Sequence, residues 1–101
     1  MKLVVITAIA EFEKDIKNML KKAKVKSYSY RDVKGFRDAS EESVESNWFG
    51  SEMNETESIV FYAYILKENV TILFDLVSKF NTHQESTSQV HLAVLAVEQY
   101  N

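Results

Sequence analysis

Two stretches of this 101-residue chain hold residue types that could do chemistry. The first runs from Arg37 to Ser58. Glu41, Glu42, Glu45, Glu52 and Glu55 are hard oxygen donors of the kind that hold magnesium or calcium, but no EF-hand spacing is present. The stretch reads as a solvated charge run, with no metal site assigned. Trp48-Phe49-Gly50 lies near its middle. An aromatic pair flanked by acids suits docking into an apolar pocket of a partner, with the charges steering approach. The competing reading folds Trp48 and Phe49 back onto the body or a neighbouring subunit. The second stretch, Asn81 to Ser88, offers His83, Gln84, Ser86, Thr87 and Ser88. Hydroxyls and backbone N–H groups there could hold an anion without glycine, or form an ordinary hydrophilic turn. His83 and His91 alone do not make a zinc site, which needs three or four converging donors. No Ser-His-Asp pattern, nucleophile elbow or metal dyad is present, and Glu11, Glu13 and Asp15 read as helix-start acids. The chain is read as a non-enzyme.

Composition narrows the field further. There is no cysteine, no proline and only two glycines, Gly35 and Gly50. Zinc ribbons, thiol enzymes, disulfide frameworks and glycine-rich phosphate loops are excluded. The formal net charge of −3 gives no general attraction to nucleic acid. That charge is unevenly spread: Arg37–Ser58 carries seven acids and one base, net −6, and the remainder is +3. No apolar run reaches the roughly 18 residues of a bilayer span, so no membrane insertion is expected. The apolar start, Leu3 to Ala10, reads as a first buried strand rather than a signal peptide. A single cytoplasmic domain covering residues 1–101 is expected.

The hydrophobic periods define the elements that must position these residues. Leu3-Val4-Val5-Ile6-Thr7 is a β-branched run and predicts a strand. Phe12, Ile16, Met19, Leu20 and Ala23 have helical spacing and predict a helix over about 11–23. Acids at its start and lysines at its end suit the helix dipole. Ser27–Val33 alternates polar and aromatic residues and predicts strand two; Ile59–Leu66 predicts strand three. Asn69 is the expected N-cap of a second helix over 70–80, and Val90–Val97 the last strand. The order β-α-β-β-α-β is the split βαβ: an α+β, ferredoxin-like sandwich of a four-stranded antiparallel sheet with two helices on one face.

The face away from the helices should be polar in a monomer. Here strands one, three and four are apolar on both parities: Ile59, Phe61, Ala63 and Ile65 against Val60, Tyr62, Tyr64 and Leu66, and Val90, Leu92, Val94 and Ala96 against Ala93, Leu95 and Val97, so the second face is apolar too. Such a patch marks an interface and predicts an oligomer; a third layer formed by the long loop is the alternative.

The element order, the motif Val33-Lys34-Gly35-Phe36-Arg37 and the loop of about twenty residues that follows resemble the PII-type and PII-like nitrogen regulatory signalling proteins. The resemblance covers nearly the whole chain as a pattern of elements and is thin in identical residues. It implies a homotrimer with sheets facing inward, a T-loop over about 37–58, and a small effector in clefts between subunits. Lys34, Gly35, Phe36 and Arg37 would line that cleft from one subunit, and His83, Ser86 and Thr87 from another. The loop, through Trp48, Phe49, Glu41, Glu42 and Glu45, would contact a target protein, a membrane transporter being one class of target. Fully extended, the loop could span about 70 Å and, folded back, reach about 30 Å from the sheet. The family's second glycine, its glycine-rich loop before the last strand and its trailing basic residues have no counterparts here. A small anionic effector is therefore expected in place of ATP or ADP. The alternatives are a CutA-like trimer handling divalent cations and a structural adaptor domain that binds nothing.

Overall fold

The computed structural model describes residues 1–36 and 55–101. Strand β1 (Lys2–Ile9) leads through a 3₁₀ turn, Ala10–Phe12, into helix α1 (Glu13–Lys22). Strands β2 (Ser29–Phe36) and β3 (Glu55–Ile65), helix α2 (Lys67–His83) and strand β4 (His91–Ala96) follow. The strands form one sheet in the order β2-β3-β1-β4, antiparallel throughout. This is the expected α+β, ferredoxin-like arrangement.

Register explains which residues form the core. Val4, Ile6 and Ala8 pair with Ala63, Phe61 and Ile59 of β3. All six are buried beneath the helices, together with Ile16 and Leu20 of α1 and Leu73 and Val77 of α2. Each large side chain buried in this way contributes roughly 1.5–3 kcal/mol. Phe61 is the largest fully buried residue. Tyr30 stacks on its ring at 5.0 Å and Tyr28 tilts against it at 5.6 Å, so the aromatic residues of the β2 side seal the core edge. Phe12 and Phe80 meet edge-to-face at 4.9 Å and tie the start of α1 to the end of α2.

Helix α1 ends in a Schellman motif. Val25 N–H bonds Leu20 O and Lys24 N–H bonds Lys21 O, both at 3.0 Å. Leu20 and Val25, the residues whose contact usually accompanies that motif, are both in the core. Lys24 takes the left-handed position, φ 65°, that glycine prefers.

Several boundaries differ from those predicted. Helix α2 starts at Lys67 with Leu66 as its extended N-cap residue, so Asn69 lies inside the first turn. With only Leu66 between the two elements, the helix starts directly where the strand stops. Leu66 therefore belongs to the connection, not to the sheet. Strand β2 continues through Gly35 to Phe36, and β3 starts at Glu55. The segment between them is thus 37–54 rather than 37–58, because Glu55–Ser58 pair with Val33–Phe36. Strand β4 starts at His91: Val90 is a buried core residue just before it, and Val97 lies beyond it.

Candidate functional site

The motif residues sit at the end of the sheet where the chain leaves β2 and re-enters at β3. Lys34 lies opposite Glu57, an opposite-charge cross-strand pair, and Gly35 lies opposite Thr56. Gly35 is buried strand backbone with no positive φ, so its role is to leave a Cβ-free position on the face that carries Thr56 and Ser58. There Thr56 Oγ1 and Ser58 Oγ share a hydrogen bond of 2.8 Å. Phe36 closes the strand and is 62 % exposed. Arg37, Glu41, Glu42, Glu45, Trp48 and Phe49 lie outside the described residues.

The second group, His83, Ser86 and Thr87, occupies the turn between α2 and β4. Asn81 organises this turn from the last turn of α2. Its Nδ2 donates to Val90 O and its Oδ1 accepts from Val90 N, both at 2.8 Å. Gln84 Nε2 donates to Ser88 O, Gln84 N–H donates to Phe80 O (3.0 Å), and Ser88 N–H donates to Ser86 Oγ (2.9 Å). The backbone donors of Gln84, Ser88 and Val90 are therefore spent within the chain, in a turn where anion binding would need them free. Gln84 Oε1 is buried, with no hydrogen-bond partner among the described residues. His83 Nδ1 lies 2.7 Å from Lys79 O; the carbonyl accepts, so Nδ1 carries a proton. Thr87 is exposed.

These two groups do not meet within one chain. β2 and β4 are opposite edges of the sheet, and β3 and β1 lie between them. Three strand spacings amount to about 14 Å. Both groups nevertheless lie at the same end, since β2 finishes there and β4 begins there. Asn81 and Gln84 hold the turn's shape; the sequence offers Gln84 as one polar group of the stretch, but the pairing of Asn81 with backbone nine residues away leaves no sequence signal.

The sheet face opposite the helices is largely apolar, and it is exposed over the half away from Gly35. Register places Leu3, Val5, Tyr62, Tyr64, Ala93 and Leu95 on it. Tyr62, Tyr64 and Leu95 are exposed by 43, 58 and 46 %. Val60 and Thr7, nearer the Gly35 end, are buried. Among the described residues no three His, Asp or Glu side chains converge, so a CutA-like metal site finds no donor set there. No described helix is long and apolar enough to cross a membrane.

On the α1 side of the sheet, Lys17 Nζ donates to Glu13 Oε2 (2.8 Å) and to Tyr30 Oη (2.9 Å), and lies 4.4 Å from the Tyr30 ring centroid. The hydrogen bond to Glu13 first, and that to Tyr30 second, hold the ammonium well above the ordinary lysine range.

This architecture is that of the PII-like proteins. CPII from Thiomonas intermedia K12, a nitrogen regulatory PII-like protein solved with ADP, AMP and bicarbonate, superposes with a TM-score of 0.65 at 18 % identity. The match covers 99 % of this chain and 94 % of that one. A DUF3240 family protein from Shewanella baltica OS155 superposes with a TM-score of 0.68 at 15 % identity, covering 99 and 92 %. The apo form of CPII gives 0.65 at 18 % identity, covering 95 and 89 %. No family model and no curated protein matches the sequence.

Proposed function

We propose that this chain is a divergent PII-like regulatory protein that acts by binding, as a homotrimer with a small anionic effector in each inter-subunit cleft. The observation that carries this reading is the placement of the two residue groups at opposite edges of one sheet end, beside an open apolar face. A neighbour packed on that face would bring Lys34 and Phe36 of one copy towards His83, Ser86 and Thr87 of the next. The segment 37–54, net −4 in sequence, departs from the same end and is the element through which a target protein, a transporter among the candidates, would read the effector's presence.

CPII was solved with both adenine nucleotides and bicarbonate. For this chain the turn before β4 favours the smaller class. It contains no glycine, and Asn81 and Ser86 already take backbone donors that would otherwise face a phosphate. Lys34 and the hydroxyls of Ser86 and Thr87 suffice for bicarbonate or a small carboxylate.

Titration calorimetry of the full chain against ADP, AMP, bicarbonate and acetate tests this. Saturable heat with bicarbonate or acetate, lost in Lys34→Ala, supports the reading. Tight ADP binding that survives Lys34→Ala, or no heat with any of the four, overturns it. Pull-down with the full chain, beside a variant lacking 38–53, tests the target contact.

A further inference from the structure

The end of the molecule opposite the candidate site carries a concentration of positive charge that the regulatory reading does not use. α1 delivers Lys21 and Lys22 there, and the connection to β2 adds Lys24 and Lys26; all four are exposed. Lys2 joins them because it pairs with Ile65 and Ala96, the last residues of β3 and β4. Lys67, at the start of α2, completes the group. Six lysines thus share one end of the domain, against Glu68 and Glu98 on the same side. Among the described residues the ion pair is Lys17–Glu13, and none of these six takes part in it.

Structural needs account for only part of this cluster. Lys21 and Lys22 complement the α1 dipole. Lys24 and Lys26 lie beyond the helix, and Lys24 occupies the left-handed position at a cost that glycine would avoid. We infer that this lysine end is a docking surface for an anionic lipid bilayer.

Three features select lipid over other polyanions. The charge is entirely lysine, with neither of the chain's arginines contributing; lysine acts as a point charge, whereas forked recognition of bases and carboxylates favours arginine. The lysines come from four separate segments at the end of the sandwich, the form of a broad contact rather than a peptide groove. An exposed apolar residue adjoins them: Leu66, next to Lys67, is 49 % exposed, a position suited to a headgroup boundary. The inference does not depend on the effector reading or on the trimer, although threefold symmetry would set three such ends at one level.

Flotation of the full chain with vesicles of phosphatidylcholine, with and without 30 mol% phosphatidylglycerol, tests it at about 0.1 M and 0.5 M salt. The chain should bind the anionic vesicles at low salt and leave them at high salt. Lys22→Gln/Lys26→Gln should weaken that binding roughly 30-fold, and Lys24→Gly should weaken it several-fold while keeping the fold. Lys14→Gln/Lys79→Gln, which removes equal charge at the other end, should bind as the parent does. No binding to the anionic vesicles, equal losses in both double variants, or tighter binding to duplex DNA or polyglutamate than to the vesicles overturns the proposal.

Discussion

The side-chain amide of Asn81 pairs with both backbone groups of Val90, donating to its carbonyl and accepting from its N–H at 2.8 Å each. An amide on a helix is standing in for a neighbouring strand. It fixes the approach of the chain to β4 and closes the turn that carries Ser86 and Thr87. Truncation to alanine strands two part-buried backbone groups, at about 1 kcal/mol or more each. Asn81→Ala should therefore cost about 2–3 kcal/mol in urea unfolding and raise amide exchange across 84–90. Asn81→Asp should also destabilise, since it keeps the acceptor but sets a carboxylate against Val90 O.

Lys24 gives a prediction of opposite sign. A non-glycine residue at φ 65° pays a steric cost that glycine does not, in a motif whose two hydrogen bonds are already made. Lys24→Gly should raise unfolding stability by about 0.5–1 kcal/mol, less the small loss of a helix-end charge.

Much of the architecture could be read from hydrophobic period. Val4, Ile6 and Ala8 alternate with Leu3, Val5 and Thr7, and Ile16, Met19 and Leu20 repeat at helical spacing. These patterns report which face is buried, and the sheet and helices follow. Boundaries were less legible where a residue's intrinsic preference was outweighed. Asn69 has the chemistry of an N-cap, yet the helix begins earlier because only Leu66 links it to Ile65. Gly35 looks like a loop residue but continues β2, since Lys34, Gly35 and Phe36 each have a partner on β3. The turn residues His83, Ser86 and Thr87 were legible from residue type, and Lys34, Gly35 and Phe36 only from the resemblance of their motif. Their division between opposite edges follows from strand order, which sequence period does not encode.

The open sheet face should control assembly without controlling the fold. Tyr64 and Leu95 lie on it, and both are largely exposed in the single chain. Tyr64→Glu/Leu95→Glu should leave far-ultraviolet circular dichroism unchanged, because neither side chain reaches the helix-covered core. Analytical ultracentrifugation at micromolar concentration should find the parent as a trimer and the variant as a monomer. Burying several uncompensated carboxylates per interface is far costlier than the apolar contact they replace.

Lys17 sets a signature at high pH. Its bonds to Glu13 and Tyr30 raise its affinity for the proton in the folded chain. A raised folded value means that its contribution is complete below the unfolded lysine value of about 10.4. The contribution fades as pH climbs towards the higher folded value, because the unfolded chain releases the proton first. The pair is part-exposed, so screening keeps the effect small. The parent should lose urea stability more steeply than Lys17→Met as pH rises above about 10, and the two should run parallel between pH 6 and 9.

Subunit mixing distinguishes a shared cleft from two separate sites. Within one chain the β2 edge carries Lys34 and Phe36, and the turn before β4 carries Ser86 and Thr87. Lys34→Ala chains and Ser86→Ala/Thr87→Ala chains should each form trimers without bicarbonate binding. In a ring, any trimer holding both kinds has one cleft where the native β2 edge of one subunit meets the native turn of the next. Refolding the two variants together at equal ratio should give mixed trimers in about three of every four assemblies, each with one restored cleft. Calorimetry on the mixture should then recover about one quarter of the parent's binding capacity at the parent's affinity. Sites formed within single chains would recover nothing, because every chain in the mixture carries one defective half.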